Sequence, residues 1–287
     1  MKVAIMTDTN SGIAKTVAES LGIFLIHMPI IIEDETFYEN DTITNEEYFS
    51  ALESDKKITT SQPSPGDVLD MWDSIFEKGY DQIVYIPMSS GLSNSYSASA
   101  SYSTEYNDSV QVVDNHRISV TLRESVFMAQ ELALQGMSAK EIKTYLEEDA
   151  YNSSIYIAVN TLDYLKKGGR ITPAAAMIGT VLSIKPILTI QGEKLDSYKK
   201  IRGNMKKALP QMLTALSNDI ESRFKEMDQA HLHIGLAGAN LSQEEIDFYL
   251  DLVRKQFPSA DIYYNPLSAS ISCHTGPGAL GIGICYR

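Results

Sequence analysis

Short, continuous apolar runs alternate with segments whose apolar residues recur at helical spacing. Val3 to Met6 and Ile83 to Ile86 read as buried strands, Val110 to Val113 as a further strand of the same half, and Ile23 to Ile32 supplies another apolar strand region. Between them, helix-start signals are explicit. Ser64 is placed to cap a helix with Pro65 at its first position, and Asp67 precedes Val68, Leu69, Trp72, Ile75 and Phe76. Thr44-Asn45-Glu46-Glu47 and Ser138-Ala139-Lys140-Glu141 have capping-box form and open helices over 46–53 and 140–150. A long helix is predicted from Ser119 to Gln135, stopping at Gly136. This alternation predicts a mostly parallel sheet with helices on both faces.

From Ser154 the texture changes. Strand-like Ile155 to Val159 is followed by a short helix over 163–167, the Gly168-Gly169 break and a helix from Pro173 towards Val181. Ile184 to Ile190, a hairpin-like turn at Gln191-Gly192-Glu193-Lys194 and Leu195 to Tyr198 come next. A helix over 204–225, a strand over 231–237, a helix capped by Ser242 and last strands at 261–264 and 281–285 complete a mixed sheet covered on one face by helices. The fold class is therefore α/β with two domains: an N-terminal mostly parallel α/β/α unit, 1–153, and a C-terminal two-layer unit, 154–287.

Composition narrows the function. With 287 residues, 44% of them hydrophobic, the chain can bury a sizeable core. Its longest apolar stretch, Leu21 to Ile32, is broken by His27 and Pro29 and falls short of the roughly 20 residues a membrane span needs. A strand-like run directly after Met1 leaves no secretory n-region, so a cytoplasmic location is expected. Cys273 and Cys285 lack metal-like spacing, so neither disulfide nor metal is expected. The 24 Lys and Arg against 37 Asp and Glu give a net charge of −13, which argues against nucleic acid as a partner.

The candidate chemistry lies in two hydroxyl-rich loops, Thr59-Thr60-Ser61-Gln62-Pro63-Ser64-Pro65 and Ser89-Ser90-Gly91-Leu92-Ser93, each joining a strand to a helix. Helix N-termini carry unpaired N–H groups and partial positive charge, so two of them rich in Ser and Thr form a cradle for a carboxylate or phosphate. The same residues also suit plain helix capping.

These loops, with Leu165-Lys166-Lys167-Gly168-Gly169-Arg170-Ile171, Lys185-Pro186-Ile187-Leu188 and His274-Thr275-Gly276-Pro277-Gly278-Ala279-Leu280-Gly281, resemble the DegV family across the whole chain. The resemblance implies a bacterial fatty-acid-binding protein, the lipid-carrying subunit of fatty acid kinase. In that system a separate ATP-binding kinase subunit converts the bound acid to an acyl phosphate. It implies a long-chain fatty acid as ligand, held between the two domains, no cofactor and no activity of the chain alone. It maps the carboxylate ligands onto Thr60, beside Ser61, and Ser93, with backbone N–H groups near Ser89 and Ser90 assisting. His274 and Arg170 match the family's histidine and arginine; the alternatives are a core imidazole and a surface salt bridge. Lys199, Lys200, Arg202, Lys206 and Lys207 form the one basic stretch, and the resemblance implies partner docking there, on Arg202 and Lys206; a solvated helix start is the alternative. The small-apolar segment from Ala174 to Leu182 is the candidate wall of an acyl tunnel.

Two departures bear on ligand preference. Asp8 is followed by Thr9 and Asn10 where the family usually has Asp-Ser, and Asn115 with Ser119-Val120-Thr121-Leu122-Arg123 stands where it commonly has serine and a glycine-containing helix start. Thr121 and Arg123 replace close-packing glycines of that run with bulkier side chains, which predicts a narrower or differently bent tunnel. Two rival functions remain open. A serine hydrolase would pair Ser93 with His274, although Gly91-Leu92-Ser93-Asn94-Ser95 lacks the second glycine of a nucleophile elbow. A carrier of a small polar ligand, related to dihydroxyacetone kinase subunits, is the other. No P-loop is present to make the chain a kinase itself.

Overall fold

The computed structural model describes residues 1–54, 56–177, 184–191 and 193–287. The first half runs β1 (Val3–Asp8), α1 (Lys15–Leu21), β2 (Ile23–Ile26), β3 (Ile30–Ile32), β4 (Glu35–Phe37), α2 (Asn45–Leu52) and β5 (Ile58–Thr60). It continues with α3 (Pro65–Glu77), β6 (Gln82–Ile86), α4 (Ser95–Ser103), β7 (Val110–Val112), α5 (Ser119–Leu134) and α6 (Ala139–Glu148). The second half runs β8 (Ser153–Ala158), α7 (Asp163–Gly168), α8 (Pro173–Ala176), β9 (Ile184–Thr189), β10 (Asp196–Arg202) and α9 (Ala208–Ser222). It closes with β11 (Leu232–Gly238), α10 (Gln243–Gln256), β12 (Asp261–Pro266), α11 (Ala269–Thr275) and β13 (Leu280–Tyr286).

The continuous apolar runs become a parallel sheet of order β2-β1-β6-β7. Strand side chains alternate between faces. Ala4, Met6, Ile83 and Tyr85 therefore pack with Trp72 and Val68 of α3, while Ile5 and Val84, opposite each other in register, join the core that contains Val126 and Ala129 of α5. The apolar stretch from Ile23 to Ile32 is not one strand: Pro29 separates β2 from β3. β3 starts a small antiparallel sheet, β4-β3-β5, that the sequence reading did not anticipate. Thr60 thus ends a strand of that small sheet, opposite Ile30, and the first hydroxyl loop leaves from there rather than from the parallel sheet.

The second half builds a mixed sheet of order β10-β9-β8-β13-β11-β12, with only β11 and β12 parallel. α9 and α10 cover one face, packing Leu209, Met212, Leu216, Tyr249 and Val253 against Ile234, Ile282 and Ile284. The other face meets α5 of the first half. Gly235 and Gly283 sit opposite each other on β11 and β13, and a Cβ at Gly235 would lie 2.4 Å from Cβ of Val120. This glycine notch receives Val120 and, at Gly283, the Thr121 methyl, 2.9 Å from where a Cβ would stand; of the residues in place of the family's glycines, neither Thr121 nor Arg123 lines the main cavity, whereas their neighbour Val120 does. One core cluster runs from Ile5 to Ala279, so the halves share a core.

The basic stretch is also placed differently. Lys199, Lys200 and Arg202 lie on edge strand β10, and Lys206 and Lys207 in a one-turn 3₁₀ helix; Gly203, at φ 123, turns the chain, and α9 begins only at Ala208. Of the candidate tunnel wall, residues 178–182 lie outside the described residues, as does Gly192 of the predicted turn; Ala174 to Met177 do not line the cavity, and Met177 is 86% exposed. No helix among the described residues is long and apolar enough to cross a membrane.

Candidate functional site

A cavity of about 790 Å³ lies where the loops after β2, β6 and β7 face α11 and the inner face of the six-stranded sheet. Loops at the C-terminal ends of parallel strands are where such folds place ligands. Most of its wall is apolar, with Met28, Met88, Ile157, Leu165, Leu195 and Ile282 among the contributors. Thr60, Ser61, Gln62, Ser93, Arg170 and His274 make up most of its polar lining.

His274 sits in the last turn of α11, a helix capped by Ser268. Its Nε2 lies 2.9 Å from Oγ1 of Thr60. The ring presses on the last residue of α7: a Cβ at Gly168 would lie 2.1 Å from Nδ1, so glycine is required there. Burial, and then the positive charge of Arg170, push the His274 pKa down to about 4, which keeps the imidazole neutral near pH 7. Arg170 follows the left-handed Gly169 that ends α7. Its Nε donates to the Leu92 carbonyl at 3.2 Å and its Nη1 to the Gly168 carbonyl. Among the described residues no acidic side chain pairs with it, so the surface salt bridge is not formed and its charge stays at the cavity.

Ser93 lines the cavity with its hydroxyl 2.9 Å from that of Ser95, whose N–H it also accepts at 3.1 Å. Ser89 and Ser90 do not line it. The Ser89 amide donates to the Arg117 carbonyl at 2.9 Å and the Ser90 amide to the Asp114 carboxylate at 3.3 Å, so these N–H groups hold the loop instead of facing a ligand. The start of α3 is likewise closed on itself: Ser64 and Asp67 form a reciprocal capping box, and neither lines the cavity. The cradle is therefore built from side chains more than from helix termini. Ser93 and His274 line the same cavity but are hydrogen-bonded to Ser95 and Thr60 and not to each other, so the nucleophile and base pair of a serine hydrolase is not preassembled.

The first polar loop acts as scaffold. The Asp8 carboxylate accepts N–H groups from Asn10 and Met88, both at 2.9 Å, and Asn10 Oδ1 accepts the Ser268 hydroxyl at 2.7 Å, tying β1 and β6 to the start of α11. Burial raises the Asp8 pKa to about 6 against these hydrogen bonds. Sequence reasoning missed Gln62, Ser270 and Thr275, all lining the cavity. Gln62 and Thr275 stood inside the motifs already singled out, whereas Ser270 needed α11 to be recognised. The Thr275 hydroxyl is buried and has no hydrogen-bond partner among the described residues, a condition polar groups rarely tolerate unless a ligand or water completes them.

A family model described as an uncharacterised protein of the DegV family matches residues 2–287. The chain is similar to the protein DegV of Bacillus subtilis, at 30% identity over 290 residues and 100% of both chains. It is similar in structure to a DegV family protein from Thermus thermophilus described by its fatty acid binding, with TM-score 0.89 and 26% identity over 100% of both chains. It is also similar to the solved structure of DegV from Bacillus subtilis, described as a fatty acid binding protein, with TM-score 0.86 and 27% identity over 100% of both chains.

Proposed function

The chain belongs to the DegV family, and from that premise we propose that it binds a long-chain fatty acid in the cavity between its halves and presents it to a separate ATP-binding kinase subunit, which makes the acyl phosphate. One observation carries this reading. A largely apolar cavity gathers hydroxyls, a neutral imidazole and a guanidinium that has no acidic partner among the described residues.

Thr60, Ser61, Ser93, Arg170 and His274 hold the carboxylate in this proposal. If the neutral His274 ring carries its proton on Nε2, it donates to Thr60 Oγ1, and the Thr60 hydroxyl hydrogen is then free to point at the acid. Arg170 supplies the charge, held in place because two of its five N–H groups are spent on backbone carbonyls. Ser93 closes the other side of the head group, and hydroxyls serve a carboxylate and an acyl phosphate alike. Ser89 and Ser90 shape the loop that presents Ser93. For the partner, β10 begins beside this head-group site: the Leu195 amide donates to the Arg170 carbonyl at 3.0 Å, and the strand runs outward to exposed Arg202, with Lys206 beyond. In this proposal both meet an acidic surface of the kinase subunit.

The test is reconstitution. Protein purified from bacteria is extracted under denaturing conditions for mass spectrometry, then incubated with ATP with and without a fatty acid kinase subunit. A co-extracted long-chain acid, and acyl phosphate formed only with the kinase present, are expected. Acyl phosphate from the isolated chain, or a small polar ligand in place of the acid, would overturn the proposal.

A further inference from the structure

Behind the acyl cavity lies a second, smaller one of about 330 Å³, lined by polar groups that include His116, Arg117, Ser153, Gln191 and Arg223. Three residues, Ile118, Ile155 and Ile190, line both. Strand β8 gives their order. Residues 153, 155 and 157 project to one face about 6.6 Å apart per pair of residues; Ser153 lines the small cavity, Ile155 both, and Ile157 the large one. Continuing along the chain, β8 leads to α7, whose Gly168 touches His274. The isoleucines therefore stand at the end of the cavity remote from the head group.

We propose that Ile118, Ile155 and Ile190 form a septum that stops the acyl tail and sets the longest fatty acid this protein accepts; the inference rests on the fatty-acid reading above. The wall is built to hold its position. His116 and Ser119, on either side of Arg117 and Ile118, have φ of 54 and 55, a left-handed conformation that non-glycine residues seldom adopt unless their surroundings enforce it. The buried Arg117 enforces it here, donating from Nε to the Ala150 carbonyl at 3.1 Å, from Nη1 to the Ser125 hydroxyl at 2.9 Å and from Nη2 to the Asp149 carboxylate at 2.8 Å. Beyond the septum, guanidinium and amide groups replace apolar contacts, so a tail that passed it would leave apolar surroundings. The tail is thus blocked by shape and then rejected by polarity.

The experiment is a chain-length series. Affinities of saturated acids, lengthened two carbons at a time, are measured for the wild type and for Ile190→Ala, Ile190→Phe and the milder Ile155→Val. Each methylene buried in apolar surroundings is worth roughly fourfold in affinity, so affinity climbs with length until the septum is reached. Ile190→Ala is expected to move that limit outward by about one two-carbon step, strengthening binding of the first excluded acid about tenfold, while Ile190→Phe moves it inward. Ile155→Val moves it outward by less. The same limit in all four proteins, with losses uniform across the series, would overturn the septum while leaving fatty-acid binding intact. If the wild type bound no acid of any length, both readings would fall.

Discussion

Thr60 and His274 are 214 positions apart in the chain and 2.9 Å apart in the fold, and the chemistry of the site turns on that meeting. A hydrogen bond to a charged group is worth about 1.5 to 3 kcal/mol, or roughly tenfold to a hundredfold in affinity. Thr60→Val and Ser93→Ala are each expected to weaken binding of the acid by that factor and to change binding of its methyl ester little, because the ester lacks the full anionic charge. Sharing one head group, the two substitutions should be non-additive in the double variant. Calorimetric affinities for acid and ester across the four proteins check this. Strictly additive losses, equal for both ligands, would reduce the hydroxyls to loop and capping roles such as Ser93 already plays toward the Ser95 amide.

At the scale of elements, β10 is an exposed edge strand, the one on which docking is proposed. An exposed edge strand offers unpaired backbone groups to other chains, and lysines along it discourage such pairing. Lys199 and Lys200 fit that protective role, and Lys199 is engaged with Gln211 at 2.6 Å. Arg202, at the far end, is exposed where the chain turns at Gly203. If β10 is the docking edge, Arg202→Glu should lower kinase-dependent phosphorylation, chiefly through encounter and salt dependence, with fatty acid affinity unchanged. Parallel loss of acid binding in a direct titration would assign this strand to the ligand site instead.

For the whole molecule, two buried groups give opposite pH dependences. His274 titrates at about 4 in the folded chain against 6.5 ordinarily, so the unfolded chain takes up a proton first as the pH falls. Its contribution to stability is full above 6.5 and lost as the pH drops towards 4. Asp8 is raised from 3.8 to about 6, so the folded chain keeps a proton that the unfolded chain releases, and stability is lost as pH rises through that window. Comparing the wild type with His274→Gln cancels the Asp8 effect. Between pH 7 and 4.5 the wild type should lose about 2 to 3 kcal/mol more than the variant, read from urea unfolding. Equal losses would mean that the ring titrates as it does in water.

The sequence by itself determined the local elements and the chemistry on offer. Continuous apolar runs specified the cores of β1 and β6, because strands covered on both faces need no polar alternation, whereas edge strand β7 alternates Val110, Gln111 and Val112. Capping signals specified α2, α3, α6 and α10, because those bonds close within a few residues. Thr60, Ser61, Ser93, Arg170 and His274 were legible from their motifs and do converge on the cavity. What only tertiary structure decided was every contact between residues distant in the chain. The small sheet that carries Thr60 exists through pairing of β5 with β3 across a long connection, and the amides of Ser89 and Ser90 were claimed by Arg117 and Asp114. The notch of Gly235 and Gly283 acquires meaning only when Val120 is laid against it. α11 is seven residues long and almost wholly buried, and Ser270, Ser272, His274 and Thr275 are interspersed with its apolar residues instead of gathering on one face, so no amphipathic pattern marked it as a helix; its place between the two halves brings His274 to Thr60.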